Sequence, residues 1–372
     1  MTTKSGVGKP PDTPYLSIDG AKMQRNILKM SEIAQTNGVA LRPHVKTHKV
    51  PAIARRQIEA GAVGITVAKI SEAEVMVDGG ISDVFVAYPL VTEEKIRRAI
   101  TLTKRIRLIM GVDSLEGARR LSTVAEAEDQ TLEVRLEVDT GLRRTGVPYE
   151  DAAELARSIG FLSNLELTGI YTYRGAVLGG KPTLDLEEAG EEEGRLMASL
   201  ADKMKTQGVR VDDVSLGSTP TAEYSARVEG VTEVRPGTYV FYDRMQAQLG
   251  ACSREDCAAE VVATVVSRPR RDLAVIDGGS KTFATDVQPG GAPLNLVGFG
   301  EVVGHPEAVL ERLTEEHGMI SLRGESDLQV GDVVRIIPNH VCSTVNLHDV
   351  VYLADEDGTV EEVPVAARGM VR

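Results

Sequence analysis

The chain has no tryptophan, and its aromatic residues make up only 4% of 372 positions. That scarcity speaks against base-stacking platforms and aromatic sugar-binding surfaces. Only three cysteines are present, Cys252, Cys257 and Cys342. They are too few and too unevenly spaced for a disulfide framework; Cys252 and Cys257 could pair, but the expected compartment is a reducing cytoplasm. No apolar run reaches the length of a membrane span, and the opening MTTKSGVGKPPDTPYLSID has no apolar signal region. Basic charge is also in deficit. The 42 Lys and Arg face 55 Asp and Glu, and the net charge of −13 argues against nucleic acid as a partner. What is present, 42% apolar and 26% charged residues, is the composition of a soluble globular chain long enough for two domains.

Between residues 20 and 245 helical and strand patterns alternate, as in βα units around a parallel sheet. Eight strand segments stand out: ALRPHVK from Ala40, GITVA from Gly64, DVFVAYP from Asp83, RIRLIMGVD from Arg105, LEVRLEVDTG from Leu132, LELTGIYTY from Leu165, DDVSLGST from Asp212 and EVRPGTYVF from Glu233. Eight such units predict an α/β fold, a (β/α)8 barrel, over residues 15–250. From about residue 255 the chain turns to β-branched runs broken by Gly, Pro and Asp, which predicts a C-terminal β domain over residues 251–372, with residues 1–14 packed on it. One helical stretch is expected there, at PEAVLERLTEEHG. The acidic run LDLEEAGEEEGR (184–195) reads as the solvated face of a helix start and receives no chemistry.

RPHVKTHKV (42–50), read as a strand, places Arg42, His44, Lys46 and His48 on one face. Lys46 then closes the first barrel strand, where barrels carry catalytic groups. Neighbouring Arg42 and His44 would push its amine toward the neutral form that imine chemistry needs; the plain alternative is a solvated loop lysine. VDTGLRRTGV ends another strand with an acid, a glycine turn and two arginines. SLGSTPT offers Gly217, Ser218 and Thr219, and RPGTYVFYD offers Gly237, as backbone and hydroxyl donors that can wrap a phosphate. An amine, an arginine and a phosphate cradle at one barrel end point to pyridoxal 5′-phosphate.

RPHVKTHK, VDTGLRRTGV, VSLGSTPT and VRPGTYVFYD, in this order, resemble the fold-type III pyridoxal phosphate enzymes, in the branch of D-threonine aldolase and the eukaryotic-type D-serine dehydratase. The alanine racemases are more distant. The resemblance runs from about Pro14 to the C-terminus and implies a barrel of the alanine racemase N-terminal type plus a β domain. It implies that Lys46 binds the cofactor covalently, that Arg144 approaches its phenolic oxygen and that Tyr173 lies beside the ring. Ser218, Thr219, Gly237 and Tyr239 would lie at the phosphate, and His44 and Arg235 join the cofactor-binding set. Arg235 stands where alanine racemases place an arginine against the pyridine nitrogen. In NHVCSTVN, His340 and Cys342, two apart on an expected strand, face one side and can share an ion. Without context they read as a half-buried histidine and an inert thiol. The branch presents a divalent metal at this place, and a thiolate with an imidazole favours zinc.

The resemblance thus implies a lyase acting on a β-hydroxy-D-amino acid, the D-configuration coming from the resemblance alone. Two outcomes stay open, dehydration with deamination and retro-aldol cleavage. Cys342 tilts toward the dehydratases, Tyr173 and the TVNL context toward the aldolases. Racemisation is the same-fold alternative; it needs a second base, and VIDGGSKTFATDVQPGG (275–291) contains no tyrosine, leaving Lys281 as a stand-in. A non-catalytic pyridoxal phosphate-binding protein is the remaining alternative, against which the β domain argues. His305 and His348 read as surface or turn residues, His317 as a helix-end cap. The expected partners are a small amino acid and a second copy of the chain as a homodimer, with neither nucleic acid nor membrane.

Overall fold

In the computed structural model, which describes residues 11–355 and 359–372, each of the eight strand segments carries a strand. Around the sheet they run in the order Ala40–Leu41, Glu233–Val234, Asp213–Leu216, Leu165–Tyr171, Leu132–Asp139, Arg107–Val112, Asp83–Pro89 and Ile65–Val67. All are parallel, with Val84 opposite Leu108 and Met110 opposite Val134. The Val63 and Thr66 amides donate to Leu41 and Pro43, and a parallel bridge joins His44 to Thr66, so the last strand of the series returns to the first. Strands of such a ring are covered on both faces and read as apolar runs rather than alternating ones. Val84, Phe85 and Val86 are fully buried accordingly. Gly111 leaves room for a neighbour: a Cβ there would lie 2.2 Å from the Tyr171 hydroxyl.

This barrel unit comprises Leu28–Lys46, Pro51–Gly237 and Gly369–Arg372. Its interior holds ions as well as apolar layers. Glu233 accepts Arg42 Nε at 2.7 Å, Arg135 Nη1 at 2.6 Å and the Ser215 hydroxyl at 2.6 Å. Above this lies an apolar layer of Phe85, Ile109 and Tyr171, with Phe85 and Tyr171 edge to face at 4.9 Å.

The other unit comprises, among the described residues, 11–27, Thr47–Val50 and those of Thr238–Arg368. Its nine strands run in the order Leu273–Ile276, Gly318–Leu322, Ala308–Leu313, Gly300–Val302, Val333–Pro338, Ala259–Arg270, Tyr15–Asp19, Val350–Ala354 and Val360–Pro364. Pairing is antiparallel except between Tyr15–Asp19 and Val350–Ala354. Ala259–Arg270 also pairs with Leu273–Ile276, which curls the sheet into a β barrel.

The division departs from the expected one at the N-terminus. Tyr15–Asp19 is not a barrel strand, because its amides pair with Ala259–Val262 and Ser17–Asp19 with Tyr352–Ala354. Before it, Thr13 bonds through its hydroxyl to Asp277 and Thr264; residues 1–10 of the expected N-terminal packing lie outside those described. The expected helix at PEAVLERLTEEHG is a hairpin instead, Ala308–Leu313 against Gly318–Leu322. Ala308 and Leu310 are buried and the residues between alternate outward, a period of two.

Candidate active site

The sequence places Lys46 on a strand, and the structure corrects this. Strand-type pairing runs on to His44, whose N–H donates to the Pro236 carbonyl at 2.9 Å, and Val45–Thr47 then closes into a 3-10 turn that takes Lys46 and His48 off the strand. The four basic groups therefore do not share a strand face. Arg42 is 1% exposed and is drawn to Glu233 and Asp83, two carboxylates that hold its guanidinium charge. His48 is buried and its Nδ1 accepts the Val50 N–H at 3.0 Å. The Lys46 backbone N–H lies 3.4 Å from His44 Nδ1.

The structure does bring Lys46, Tyr173 and Arg144 together. The Lys46 Nζ lies 5.4 Å from the Tyr173 ring centre, and the Arg144 guanidinium lies 5.0 Å from the same ring. All three follow the carboxyl ends of barrel strands, where loops build a site on a rigid scaffold. The Arg144 loop has a definite cause. Asp139 Oδ1 accepts the Gly141 N–H at 2.8 Å and the Arg143 N–H at 3.0 Å, so the strand's last acid folds the loop over itself. Gly146, at φ +102°, presses so close that a Cβ would meet Asp139 N at 2.6 Å.

A second pair of loops forms beside the last two strands. Gly217 takes φ +80°, a conformation glycine adopts without strain. Ser218 then turns tightly, its N–H donating to Thr221 Oγ1 at 3.1 Å and its oxygen accepting the Ala222 N–H at 2.7 Å. The Gly237 N–H reaches Thr219 Oγ1 at 3.3 Å, joining the two loops. Buried small residues and clustered amides are the chemistry of a phosphate cradle. Arg235, buried beside it, donates Nε to Ser215 Oγ at 2.8 Å and Nη2 to the Thr172 carbonyl. Its guanidinium stacks on Tyr171 at 5.1 Å and Phe85 at 5.5 Å. Tyr239 lies in the 3-10 turn Thr238–Val240 of the β unit and is fully buried.

His340 and Cys342 do not lie on a strand. Val333–Pro338 ends before them, and Cys342 sits in the short helix Val341–Val345, closed by Thr344 Oγ1 on the His340 carbonyl at 2.8 Å. The turn nonetheless brings the two side chains into hydrogen-bond contact. His340 Nδ1 lies 2.6 Å from Asp286 Oδ2, and the Ser343 hydroxyl donates to the same oxygen at 3.0 Å. Cys342 Sγ is 3.2 Å from Thr47 Oγ1 and 3.5 Å from Thr238 Oγ1.

Burial pulls the His340 imidazole toward neutrality, but Asp286 and Cys342 reverse that and raise it to about 11. Burial likewise pushes the Cys342 thiol up, and the His340 ring with the Thr238 and Thr47 hydroxyls brings it below its ordinary value. The pair is drawn toward imidazolium and thiolate, and a metal can replace the shared proton. Asp286 orients the imidazole through its second nitrogen, as carboxylates do for metal-bound histidines. The donor set fits a soft divalent ion. Among the described residues no group of three or more His, Cys, Asp or Glu is arranged to hold one.

Two contributors escaped the sequence reading. Asp243, fully buried, accepts the Gln246 and Val341 amides at 2.9 Å each and so fixes the peptide between His340 and Cys342. It ends the RPGTYVFYD motif, which was its only signal. Asp286 gave none, since it approaches His340 from 54 residues away. The remaining histidines play other parts. His348 donates Nε2 to the Thr282 carbonyl at 3.2 Å and is half-buried rather than a surface residue. His305 lies 3.4 Å from Glu307. His317 stands in the hairpin turn, where no helix end exists to cap. Lys281 is exposed and paired with Glu316 at 2.6 Å and Glu315 at 3.2 Å.

Residues 18–245 match the alanine racemase N-terminal domain, and residues 258–354 match the putative serine dehydratase domain. The chain is 33% identical to D-threo-3-hydroxyaspartate dehydratase of Delftia sp. (strain HT23), over 94% of this chain and 96% of that one. It is 32% identical to D-threonine aldolase of Arthrobacter sp, over 97% and 94%. Among solved structures it superimposes on a cysteine-to-alanine mutant of D-threo-3-hydroxyaspartate dehydratase in the metal-free form, with a TM-score of 0.88 at 32% identity over 97% of this chain and 98% of that one. Four structural motifs, a barrel and a nine-stranded β unit thus coincide with two consecutive domain matches, and the chain belongs to the alanine racemase N-terminal domain family, in the group that joins that domain to a serine dehydratase domain.

Proposed function

We propose that this protein is a lyase dependent on pyridoxal 5′-phosphate and a divalent metal, zinc by its donor set, acting on a β-hydroxy-D-amino acid by dehydration with deamination or by retro-aldol cleavage. The observation that carries the reading is the pairing of two chemistries in one chain: a lysine and an arginine at one tyrosine ring, and an imidazole–thiolate pair. Relatives named as dehydratase and aldolase support the same substrate class, and a relative described in a metal-free form supports metal dependence.

When bound, the cofactor supplies an electron sink for the bonds at the substrate's α-carbon, and a divalent ion supplies a Lewis acid for the β-hydroxyl. The chain's own residues do the rest. Lys46 would hold the cofactor and, in elimination, take the α-proton. Arg144 and Tyr173 would flank it, and Ser218, Thr219 and Gly237 would hold its phosphate. Arg235, tied by Ser215 and Thr172, would present a fixed guanidinium edge to its ring. His340 and Cys342 would hold the ion, oriented by Asp286 and by the Asp243–Val341 bond.

The imidazole–thiolate pair makes a soft site suited to zinc, and a Lewis acid there serves dehydration and retro-aldol cleavage alike. Racemisation is disfavoured by Lys281: hydrogen bonds to Glu316 and Glu315 raise its pKa and hold it as a cation, so it supplies no second base. A homodimer and a cytoplasmic setting complete the proposal; no helix among the described residues is long and apolar enough to cross a membrane. The test is to incubate the protein with D-serine, D-threonine and 3-hydroxy-D-aspartate, with and without added zinc. Ammonia with a 2-oxo acid would mark elimination, glycine with an aldehyde retro-aldol cleavage. No product from any of the three under either condition would overturn the lyase reading.

A further inference from the structure

The acidic run between residues 184 and 195 has the sequence of a solvated helix face, yet one of its members is buried. The run opens the helix Leu186–Thr206, along which Glu188 and Glu191 are exposed or nearly so and pair with Arg195. Glu193 is fully buried. Its Oε1 accepts the Arg174 N–H at 3.1 Å, its Oε2 has no hydrogen-bond partner among the described residues, and the Gly217 N–H is the other backbone donor facing it. Arg174 directly follows Tyr173, and Gly217 opens the Ser218–Thr219 turn. One carboxyl therefore meets the backbone of both loops from behind.

The cations that act on Glu193 are Arg174 and Arg235. Each guanidinium is engaged elsewhere, Arg174 with Glu192 and the Ala189 carbonyl, Arg235 with Ser215 and Thr172. On the packed helix Ala222–Ser225, Tyr224 stands beside Gly190, and Glu223 pairs with Arg227. On the adjoining strand Asp213 pairs with Arg135, and on Ala152–Gly160 both Glu154 and Arg157 are exposed. Burial pushes Glu193 up to about 7, with Arg174 and Arg235 opposing it. A second anion brought close in this dry setting would disfavour its charge further.

We propose that Glu193 is a positioning residue of the phosphate cradle, holding the Tyr173–Arg174 and Gly217–Ser218 segments from behind and taking up one solvent proton when a phosphate dianion seats at Ser218 and Thr219. The inference rests on reading those loops as the cofactor's phosphate site. Pyridoxamine 5′-phosphate tests it, because it carries the phosphate but forms no covalent bond with Lys46. Its binding is measured by calorimetry, in buffers of different ionisation heat, for the wild type and Glu193→Gln. Wild-type affinity should fall on the order of tenfold between about pH 7 and about pH 8.5, with the variant changing less than about twofold. At the alkaline end the wild type should take up close to one proton more than the variant. Equal pH slopes and equal proton uptake in the two proteins would overturn the proposal. Should the variant fail to fold, absence of proton uptake by the wild type alone would overturn it. A wild type that binds no pyridoxamine 5′-phosphate at any pH would instead remove the phosphate site, and this inference with it.

Discussion

Glu233→Gln should weaken the barrel by about 3–5 kcal/mol at neutral pH, because removing one partner leaves buried charge uncompensated. Glu233 is 2% exposed and takes three short hydrogen bonds, from Arg42, Arg135 and Ser215. Burial alone would raise its pKa, but Arg42 and Arg135 overcome that and depress it from 4.5 to about 2. A depression of that size corresponds to about 3 kcal/mol favouring the folded state. The sign follows from the direction: the contribution is present in full above the unfolded value of 4.5 and is lost as the pH falls through about 2. The assay is urea unfolding of wild type and variant at neutral pH, repeated at acidic pH. The gap in unfolding free energy should be wide at neutral pH and close in acid. A gap below about 1 kcal/mol at neutral pH, or one independent of pH, would refute the assignment of the fold's ionic keystone to this carboxylate. The variant should also loosen Arg235, which reaches Glu233 through Ser215, and so weaken cofactor binding.

Replacing Lys46 by Ala should abolish the absorbance of the covalently bound cofactor while circular dichroism stays unchanged; persistence of that band would assign the covalent link to another residue. Cys342→Ala should lose metal, measured by elemental analysis, and turnover, yet keep the cofactor band. Full metal content in that variant would remove Cys342 from the ligand set. Gly146→Ala should cost about 3 kcal/mol in urea unfolding, since a Cβ at positive φ would press on the Asp139 backbone. It should also weaken cofactor binding through the displaced Arg144, and wild-type stability would show that the loop yields. For Glu193, raised from 4.5 to about 7, the folded state holds its proton longer than the unfolded one. Its stability is therefore lost as the pH rises through about 7, and Glu193→Gln should gain up to about 3 kcal/mol on the wild type between about pH 5 and about pH 8. A difference that does not change with pH would contradict this.

The barrel half of the molecule was legible because its signals are local. A strand that ends in VDTG, SLGST or RPG carries its loop chemistry within a few residues, and barrel topology then gathers these ends without further instruction. Where sequence pattern and structure differ, a short segment obeys a distant partner instead of its own period. PEAVLERLTEEHG has helical spacing, yet its backbone is claimed by a hairpin. VKTHK looks extended, yet the pairing ends with His44 and the chain turns at Val45–Thr47. Glu193 reads as one more surface acid, and only the packing of its helix shows that this turn faces inward.

By itself the amino-acid order determined the repeating βα units, the change to β structure after residue 255, and the residue types from which a phosphate cradle and a metal pair are proposed, all through contacts a few positions apart. Folding in three dimensions decided which charges are neutralised and which are held. Glu233 is anionic because Arg42 arrives from 191 residues away and Arg135 from 98. His340 is oriented because Asp286 reaches it across 54 residues. Electrostatic energy depends on distance and burial through space, and neither quantity is written in the spacing of residues along a chain.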